Sequence, residues 1–380
     1  MTIRRILSCD GGGVRGIITL RCLEALEKRF GPCAQHFHMF AGTSTGALIA
    51  GALAHGIPVA RLIELYSERR HEIFAPRLFG FLHPLVTKYD QKALHRVLRE
   101  LFGDRRLDQL GHDITITTLD TVRAETTYFS SFALPGGGRY GDYGAVRLRD
   151  AIAASAAAPT YFPAHGRFID GGTTVYNNPA YMAAVEALRY SSDRKAEPPQ
   201  PSLYDGAQVE VYSFGTGIVQ NEMAPGEAMA KTGLGWVHYV LDVGGDHAIH
   251  HQSYVVQSEL DLAEQAVAFY RYDLYITREM IAGVAPGSAL APRTLALDAL
   301  DEERFVLLDS LGRAFAGELA AGALFDPTGA QAQPAAARQS RIVKRSGVAG
   351  RWVRHGQPAR PEGYVAEVLR EFEALDRTLG

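Results

Sequence analysis

Two apolar runs near the N-terminus are each followed by a turn of small residues and then by a helical pattern. Residues 5–9 predict a strand, and the apolar positions between Val14 and Phe30 recur at a spacing near 3.6, which predicts a helix. The segment "HFHMFAG" predicts a second strand, and the following "ALIAGALAHGI" predicts a tightly packed helix. Two strand–turn–helix units in succession predict a mostly parallel sheet covered by helices.

The rest of the chain continues to alternate between strands and helices. Further strands are predicted for "DITITTL", "TTYFSSFAL", "GRFIDGG", "VEVYSFGTG" and "YRYDLYI". Helical patterns cover 58–110, with an apolar interruption at 73–86, and also 148–159, 179–190, 236–267 and 301–319. These elements predict a three-layer α/β/α domain over residues 1–325. Residues 326–380 predict a linker, a basic segment and a C-terminal helix that packs on this domain or extends it.

Composition and charge narrow the class of protein. Hydrophobic residues make up 47% and charged residues 21% of the chain, which is typical of a folded globular protein. The net charge of −3 creates no overall field that attracts nucleic acid, so no nucleic-acid partner is expected. Cys9, Cys22 and Cys33 lack metal-site spacing and an even-numbered disulfide framework, which indicates buried thiols in a reducing compartment. Without a signal peptide pattern or an uncharged run of roughly 18 residues, we expect a cytoplasmic protein.

Three consecutive glycines, Gly11, Gly12 and Gly13, connect the first predicted strand to the first predicted helix. Because the N–H groups at a helix start have no intrahelical acceptor, and the helix dipole adds partial positive charge, such a loop binds negative charge. Phosphate is one candidate anion, but the spacing matches neither the Walker nor the dinucleotide-binding pattern. Tight packing between strand and helix is the alternative explanation for these glycines.

The stretch Gly42-Thr43-Ser44-Thr45-Gly46 matches the G-x-S-x-G pattern of a nucleophile elbow. It lies between a predicted strand and a predicted helix, which is the context that this motif requires. The flanking glycines let the backbone turn sharply and expose the Ser44 hydroxyl. Since the glycine loop belongs to the neighbouring unit, its amides are candidates to bind the charge that develops when Ser44 attacks a carbonyl group.

A serine nucleophile needs a positioned proton acceptor, and two kinds are available. His165, His247, His250 and His251 all lie downstream, as the Ser-Asp-His order of an α/β-hydrolase requires, but that fold separates the oxyanion loop from the nucleophile by two more strands. The other candidate is Asp170 in "RFIDGGTTVYNNPA", where two glycines after the aspartate allow another group to approach the carboxylate. An ordinary loop is the alternative explanation of that motif.

Taken together, "DGGGVRG", "GTSTG" and "DGG" resemble the motifs of the patatin-like phospholipase family, whose fold is similar to the catalytic domain of cytosolic phospholipase A2. The similarity extends to "AIAASAAAPTYFP" and "NNPA" and covers about residues 3 to 310. The resemblance implies a Ser44 nucleophile and an Asp170 base, with Gly11, Gly12, Gly13 and Arg15 in the oxyanion region. It also implies a lipid acyl hydrolase of the phospholipase A type that cleaves glycerophospholipid or galactolipid esters through an acyl-serine intermediate, without a metal or organic cofactor.

Several questions stay open at the level of the sequence. The implied substrate suggests transient contact with a membrane surface, while a homo-oligomer and a cyclic-nucleotide activator, as in some bacterial relatives, are further alternatives. A nucleotide-binding switch and a catalytically inert storage or scaffold protein remain as other function classes.

Three further features each have two explanations. The apolar residues between Phe74 and Val86 suit either core packing or a lipid-facing lid. The histidines of "GGDHAIHHQ" suit solvent exposure better than a zinc site, because further ligands are missing. The basic residues between Arg338 and Arg354 suit a solvated tail, or a contact with anionic lipid or a nucleotide.

Overall fold

The computed structural model describes residues 2–78, 86–131, 143–191, 201–219, 227–233, 267–322 and 363–379, together with isolated positions between residues 223 and 255. The strands in chain order are β1 (Ile3–Cys9), β2 (Met39–Gly42), β3 (Asp113–Asp120), β4 (Glu125–Ser130), β5 (Phe168–Asp170), β6 (Gln208–Phe214), β7 (Ile218–Val219), β8 (Val267–Tyr272) and β9 (Tyr275–Ile276).

The α-helices alternate with these strands along much of the chain. They are α1 (Gly16–Phe30), α2 (Thr45–Ala54), α3 (Val59–Glu68), α4 (Arg70–Ile73), α5 (Gln91–Phe102), α6 (Leu148–Ser155), α7 (Ala180–Val185), α8 (Glu227–Ala230), α9 (Arg278–Val284), α10 (Glu302–Gly322) and α11 (Tyr364–Leu379).

A seven-stranded sheet forms the centre of the fold, with the strand order β4-β3-β2-β1-β6-β8 and with β5 paired to β3. β1 pairs in parallel with β2 and β6, and the pairs β2-β3 and β6-β8 are also parallel. β4 and β5 run antiparallel to β3. The prediction of a mostly parallel sheet is confirmed.

Separate apolar clusters cover the two faces of this sheet, because successive side chains of a strand point to opposite faces. In β1, Leu7 and Cys9 belong to the larger cluster, whereas Ile6 belongs to the smaller one. The larger cluster also contains apolar residues of α1, α2, α5, α6 and α10, while α7 packs in the smaller cluster. Helices on both faces give the expected three-layer α/β/α arrangement.

Two strands share one edge of β3 and meet there end to end. β2 ends with Gly42 opposite Ile116 of β3. β5 runs in the opposite direction and ends with Asp170 opposite Thr118. β5 lies on the β2 side of β3 because β4 occupies the other side along the same residues. The turns that follow β2 and β5 therefore leave the sheet at the same point.

The C-terminal helix α11 contacts the larger cluster through its buried residues Tyr364, Val368 and Phe372. The predicted linker and basic segment, and most of the predicted helix over 236–267, lie outside the described residues. The strand predicted over 126–134 corresponds to β4, which ends at Ser130, and residues 132–134 of this prediction lie outside the described residues. None of the helices in the described ranges combines the length and the apolar character that crossing a membrane requires.

Candidate active site

Ser44 occupies the sharp turn between β2 and α2. Its φ of 55° and ψ of −122° lie in a region that residues with a side chain rarely adopt, and such strain is typical of functional sites. The turn also needs Gly46, since a Cβ there would lie 2.1 Å from the Cys9 carbonyl oxygen. This close approach packs the first turn of α2 against the end of β1 and leaves Ser44 half-buried beyond the carboxyl end of β2.

The Ser44 hydroxyl donates a hydrogen bond to Asp170, with 2.6 Å between Oγ and Oδ2. The other carboxylate oxygen, Oδ1, accepts the N–H of Gly172 at 2.6 Å. The shared edge of β3 brings these distant parts of the chain together. Gly171 makes the approach possible, because a Cβ at that position would lie 2.4 Å from the Thr117 hydroxyl oxygen.

Burial changes the proton affinity of the Asp170 carboxylate. Removal from water raises the pKa of Asp170 from its ordinary value of 3.8 to about 6, because the charged form loses its hydration. The hydrogen bonds from the Ser44 hydroxyl and the Gly172 N–H act against this rise, since they favour the carboxylate. The carboxylate is thus a stronger base than an ordinary aspartate while still ionised near neutral pH.

The four residues predicted for the oxyanion region differ in what their polar groups do. The Gly11 N–H donates to the Asn177 carbonyl oxygen at 3.1 Å, so it is already engaged. The N–H groups of Gly12 and Gly13 have no acceptor within the described part of the chain. The Arg15 side chain is buried, and its Nε donates to the Gly12 carbonyl oxygen at 3.5 Å. Gly12 and Gly13 are therefore the candidate donors, with Gly11 and Arg15 holding the loop.

The glycine loop also needs small residues for steric reasons. Gly13 has a φ of +57°, and a Cβ there would lie 2.1 Å from the Leu297 carbonyl oxygen. A Cβ on Gly12 would lie 2.0 Å from the Thr216 hydroxyl oxygen. Close packing and anion binding are therefore compatible explanations of these glycines. The absence of side chains lets the loop pack closely, and it also leaves the backbone N–H groups uncovered.

A buried ion pair at the base of the loop could not be found from the sequence. Asp10 is fully buried, and the Arg271 guanidinium donates to both of its carboxylate oxygens at 2.9 and 2.6 Å. Arg271 also donates to Asp273, which itself accepts the backbone N–H of Gly217 at 3.2 Å. The pair fixes the first residue of the "DGGG" motif relative to β8, and no local motif marks Arg271 as its partner.

An apolar cavity opens beside Ser44 and Asp170. Its polar lining also includes Arg15, Asn177 and Asp298. Most of the remaining lining is apolar and comes from α2, α4, α5, α6 and neighbouring loops: Leu48, Ile73, Phe74, Leu94, Leu98, Ile152, Tyr161 and Phe162. A lining of this kind suits an alkyl chain.

The histidines considered as alternative bases lie elsewhere or outside the described residues. His165 is buried next to Asp150, with 3.5 Å between its Nε2 and the Asp150 Oδ1, and its Nδ1 lies 3.2 Å from the Gln91 amide nitrogen. His251 is exposed, whereas His247 and His250 lie outside the described residues. Among the positions that the structure describes, no group of three or more His, Cys, Asp or Glu side chains could hold a metal ion.

The apolar segment between Phe74 and Val86 is described only in part. Phe74 lines the cavity and makes aromatic contacts with Tyr89 and Phe162. Leu78 is 80% exposed, and residues 79–85 lie outside the described part of the chain, as do the basic residues between Arg338 and Arg354. Phe74 therefore belongs to the core and cavity wall.

Comparison with known proteins gives matches over the N-terminal and central parts of the chain. The family model described as patatin-like phospholipase matches residues 7–184. Patatin-like protein 1 of Arabidopsis thaliana is 30% identical over 298 residues, which cover 66% of this chain and 70% of that protein. Patatin-like protein 2 of Oryza sativa subsp. indica is 33% identical over 268 residues, 60% of this chain and 64% of that protein. A cGAMP-activated phospholipase of Pseudomonas aeruginosa is 33% identical over 205 residues, 50% of this chain and 58% of that protein.

Proposed function

The chain belongs to the patatin-like phospholipase family, and on this basis we propose that it is a lipid acyl hydrolase of the phospholipase A type. The observation that carries the proposal is the 2.6 Å hydrogen bond between Ser44 Oγ and Asp170 Oδ2 in the lining of an apolar cavity. The hydrogen-bond donors of the glycine loop line the same cavity. A nucleophile, a base, oxyanion donors and an alkyl-binding wall thus occur together, as ester hydrolysis of a lipid requires.

The proposed reaction begins when the Ser44 Oγ attacks the ester carbonyl carbon and its proton passes to Asp170. The N–H groups of Gly12 and Gly13 donate to the carbonyl oxygen as it becomes an oxyanion. The tetrahedral intermediate then collapses, the C–O bond of the alcohol breaks, and Asp170 returns the proton to the leaving oxygen. Asp170 next takes a proton from water, whose oxygen attacks the acyl carbon of the acyl-Ser44 ester. The bond from that carbon to Ser44 Oγ then breaks, Asp170 returns the proton to Oγ, and the fatty acid is released.

The proposed substrates are glycerophospholipids or galactolipids, because both carry acyl esters that fit an apolar cavity. Their presentation in a bilayer implies transient contact with a membrane surface. A cyclic-nucleotide activator is a further proposal, which rests on the similarity to phospholipases described as cGAMP-activated. A homo-oligomer and a cytoplasmic location also stay predictions.

A direct test measures hydrolysis of p-nitrophenyl butyrate and labelling by a fluorophosphonate in wild type and Ser44→Ala. We expect both signals in the wild type and a loss of many orders of magnitude in hydrolysis, with no labelling, in the variant, because the nucleophile is gone. A panel of lipids, assayed with and without cyclic dinucleotides, then identifies the substrate class and tests activation. Hydrolysis that survives in a folded Ser44→Ala protein would remove Ser44 from the mechanism.

The same assays separate the proposal from the two other function classes. A nucleotide-binding switch predicts that ATP or GTP protects the fold while Ser44 stays inert to the fluorophosphonate. An inert storage or scaffold protein predicts a folded chain with neither labelling nor hydrolysis of any lipid in the panel.

A further inference from the structure

The backbone N–H of Ser44 is bonded to a side chain of a different helix. The turn at Ser44 comes after β2 has ended and before the helical bonds of α2 begin, so the N–H has no acceptor in either element. It donates instead to the Ser155 hydroxyl oxygen at 2.8 Å. Ser155 is the last residue of α6 and is fully buried. A side chain at the end of α6 thus completes the hydrogen bonding of the strained turn.

The chain just after Ser155 is hydrogen-bonded to the backbone of Asp170. The Asp170 N–H donates to the Ala157 carbonyl oxygen at 3.0 Å. The Thr118 hydroxyl oxygen lies 3.3 Å from the Ala154 carbonyl oxygen and 2.8 Å from the Ile169 carbonyl oxygen, and it links the end of α6 to β5. Residues 154–157 therefore contact the backbone of Ser44 and the backbone of Asp170. These contacts are independent of the hydrogen bond between the Ser44 and Asp170 side chains.

We propose that Ser155 is a positioning residue, which holds the Ser44 turn at the correct distance from Asp170. The inference rests on the proposed function for its kinetic consequences, but the contact itself does not depend on any substrate. Ser155 acts through the backbone of Ser44 and takes no part in proton transfer. Its role follows from geometry: one short segment fixes both backbones, so the Oγ–Oδ2 distance is set before a substrate binds.

Loss of the Ser155 hydroxyl should change the rate more than the binding of substrate. In Ser155→Ala the Ser44 N–H remains buried without an acceptor, so the turn relaxes and the nucleophile moves away from Asp170. We expect kcat for p-nitrophenyl butyrate to fall by about 10- to 100-fold, the scale of a small misplacement of reacting groups, while KM changes by about twofold or less. Ser155→Thr retains the oxygen, and its kcat should lie closer to that of the wild type.

A second readout reports the distance between the side chains. The Ser44 hydroxyl favours the ionised form of Asp170, so a longer contact should move the acidic limb of the pH–rate profile to higher pH in Ser155→Ala. The matched control is Ser8→Ala, which removes the hydroxyl of an equally buried serine in β1 that has no hydrogen-bond partner among the described residues. We expect Ser8→Ala to keep both kcat and the midpoint of the profile.

Hydrogen exchange separates this inference from the proposed function. Exchange of the backbone amides at residues 43–47 should be faster in Ser155→Ala than in the wild type or in Ser8→Ala, whether or not a substrate is hydrolysed. Faster exchange in a protein that hydrolyses nothing would retain the positioning role and contradict the hydrolase proposal. Unchanged exchange, together with unchanged kcat and pH midpoint in a folded Ser155→Ala protein, would overturn the positioning role.

Discussion

At the residue scale, the Asp170 carboxylate can accept a proton only as an anion, yet its burial disfavours that anion. The N–H of Gly172 and the hydroxyl of Ser44 supply two hydrogen bonds, but these do not fully replace lost hydration, and the pKa stays raised at about 6. In the proposed mechanism, the raised pKa brings Asp170 closer to neutral pH, which favours proton transfer from Ser44. Ionisation of Asp170 therefore lowers the free energy of unfolding, because the ionised carboxylate is better hydrated in the unfolded chain.

This conflict predicts opposite effects of pH on activity and on stability. Since the folded pKa of Asp170 lies above its unfolded value of 3.8, the folded state binds more protons between about pH 4 and 6, and the contribution of Asp170 to stability falls as the pH rises through that window. Asp170→Asn should therefore be more stable than the wild type above about pH 6, by up to about 3 kcal/mol, and equal to it near about pH 4. Urea unfolding of both proteins across this range measures the difference.

The activity of the wild type should change in the other direction. The value of kcat/KM should rise with pH and level off above about pH 6, because only the ionised Asp170 accepts the Ser44 proton. Asp170→Asn should lose nearly all hydrolysis at every pH. A stability difference that does not depend on pH, or an Asp170→Asn protein with substantial activity, would contradict the assigned role.

At the element scale, the two predicted strand–turn–helix units are present in the structure as β1-α1 and β2-α2. They could be predicted because their sequence signals are local. A run of apolar residues, glycines at the turn and a 3.6 period are all visible within about 25 residues of sequence. The meeting of β2 and β5 along β3 could not be derived this way, because strand order depends on pairing between distant segments. The same reason hid the roles of Arg271 and Ser155, which come from contacts with Asp10 and Ser44. The segment "AIAASAAAPTYFP" contains Ser155, but its sequence does not show which group that serine contacts.

The cavity wall is likewise a property of elements that pack together. α5 contributes Leu94 and Leu98, and α6 contributes Ile152, so one wall of the cavity is built from two helices on the same face of the sheet. Because protein interiors are closely packed, a larger side chain on this wall must reduce the space available to a bound alkyl chain.

Leu98→Phe tests whether this wall contacts the acyl chain. Leu98 is fully buried and lines the cavity, so the larger ring should shorten the space for the chain. We expect kcat/KM for a palmitate ester to fall by about tenfold relative to a butyrate ester. The matched control is Leu101→Phe, the same change on α5 at a partly buried residue outside the described cavity lining, which should leave the ratio unchanged. An equal loss on both esters would remove this wall from acyl recognition.

At the scale of the whole molecule, the C-terminal helix α11 is bonded to the start of α6 and to the residue before β5, the two elements that end at Ser155 and Asp170. Asp376 accepts from Arg147 and Arg149, next to and within the start of α6, at 3.1 and 3.0 Å. Glu371 pairs with Arg167, which immediately precedes β5. The far end of α6 carries Ser155, and β5 ends at Asp170, so α11 contacts the outer ends of both elements. We therefore propose that residues 363–379 are part of the catalytic domain and not an appended unit.

Phe372→Ala tests this proposal, because Phe372 is the most buried aromatic residue of α11, at 1% exposure. Its ring centroid lies 6.0 Å from that of Phe129 in β4 and 5.7 Å from that of Phe168 in β5. Removing the ring leaves a cavity between α11 and the sheet, so the free energy of unfolding should fall by about 3–5 kcal/mol. If α11 belongs to the domain, urea unfolding stays a single transition with a lower midpoint, and amide exchange in α6 and β5 becomes faster together with that in α11. Glu373→Ala, on the exposed side of the same helix, should change stability by about 0.5 kcal/mol or less. Faster exchange restricted to α11, with an unchanged midpoint for the rest of the protein, would instead mark the C-terminal helix as a separate unit that packs on a complete domain.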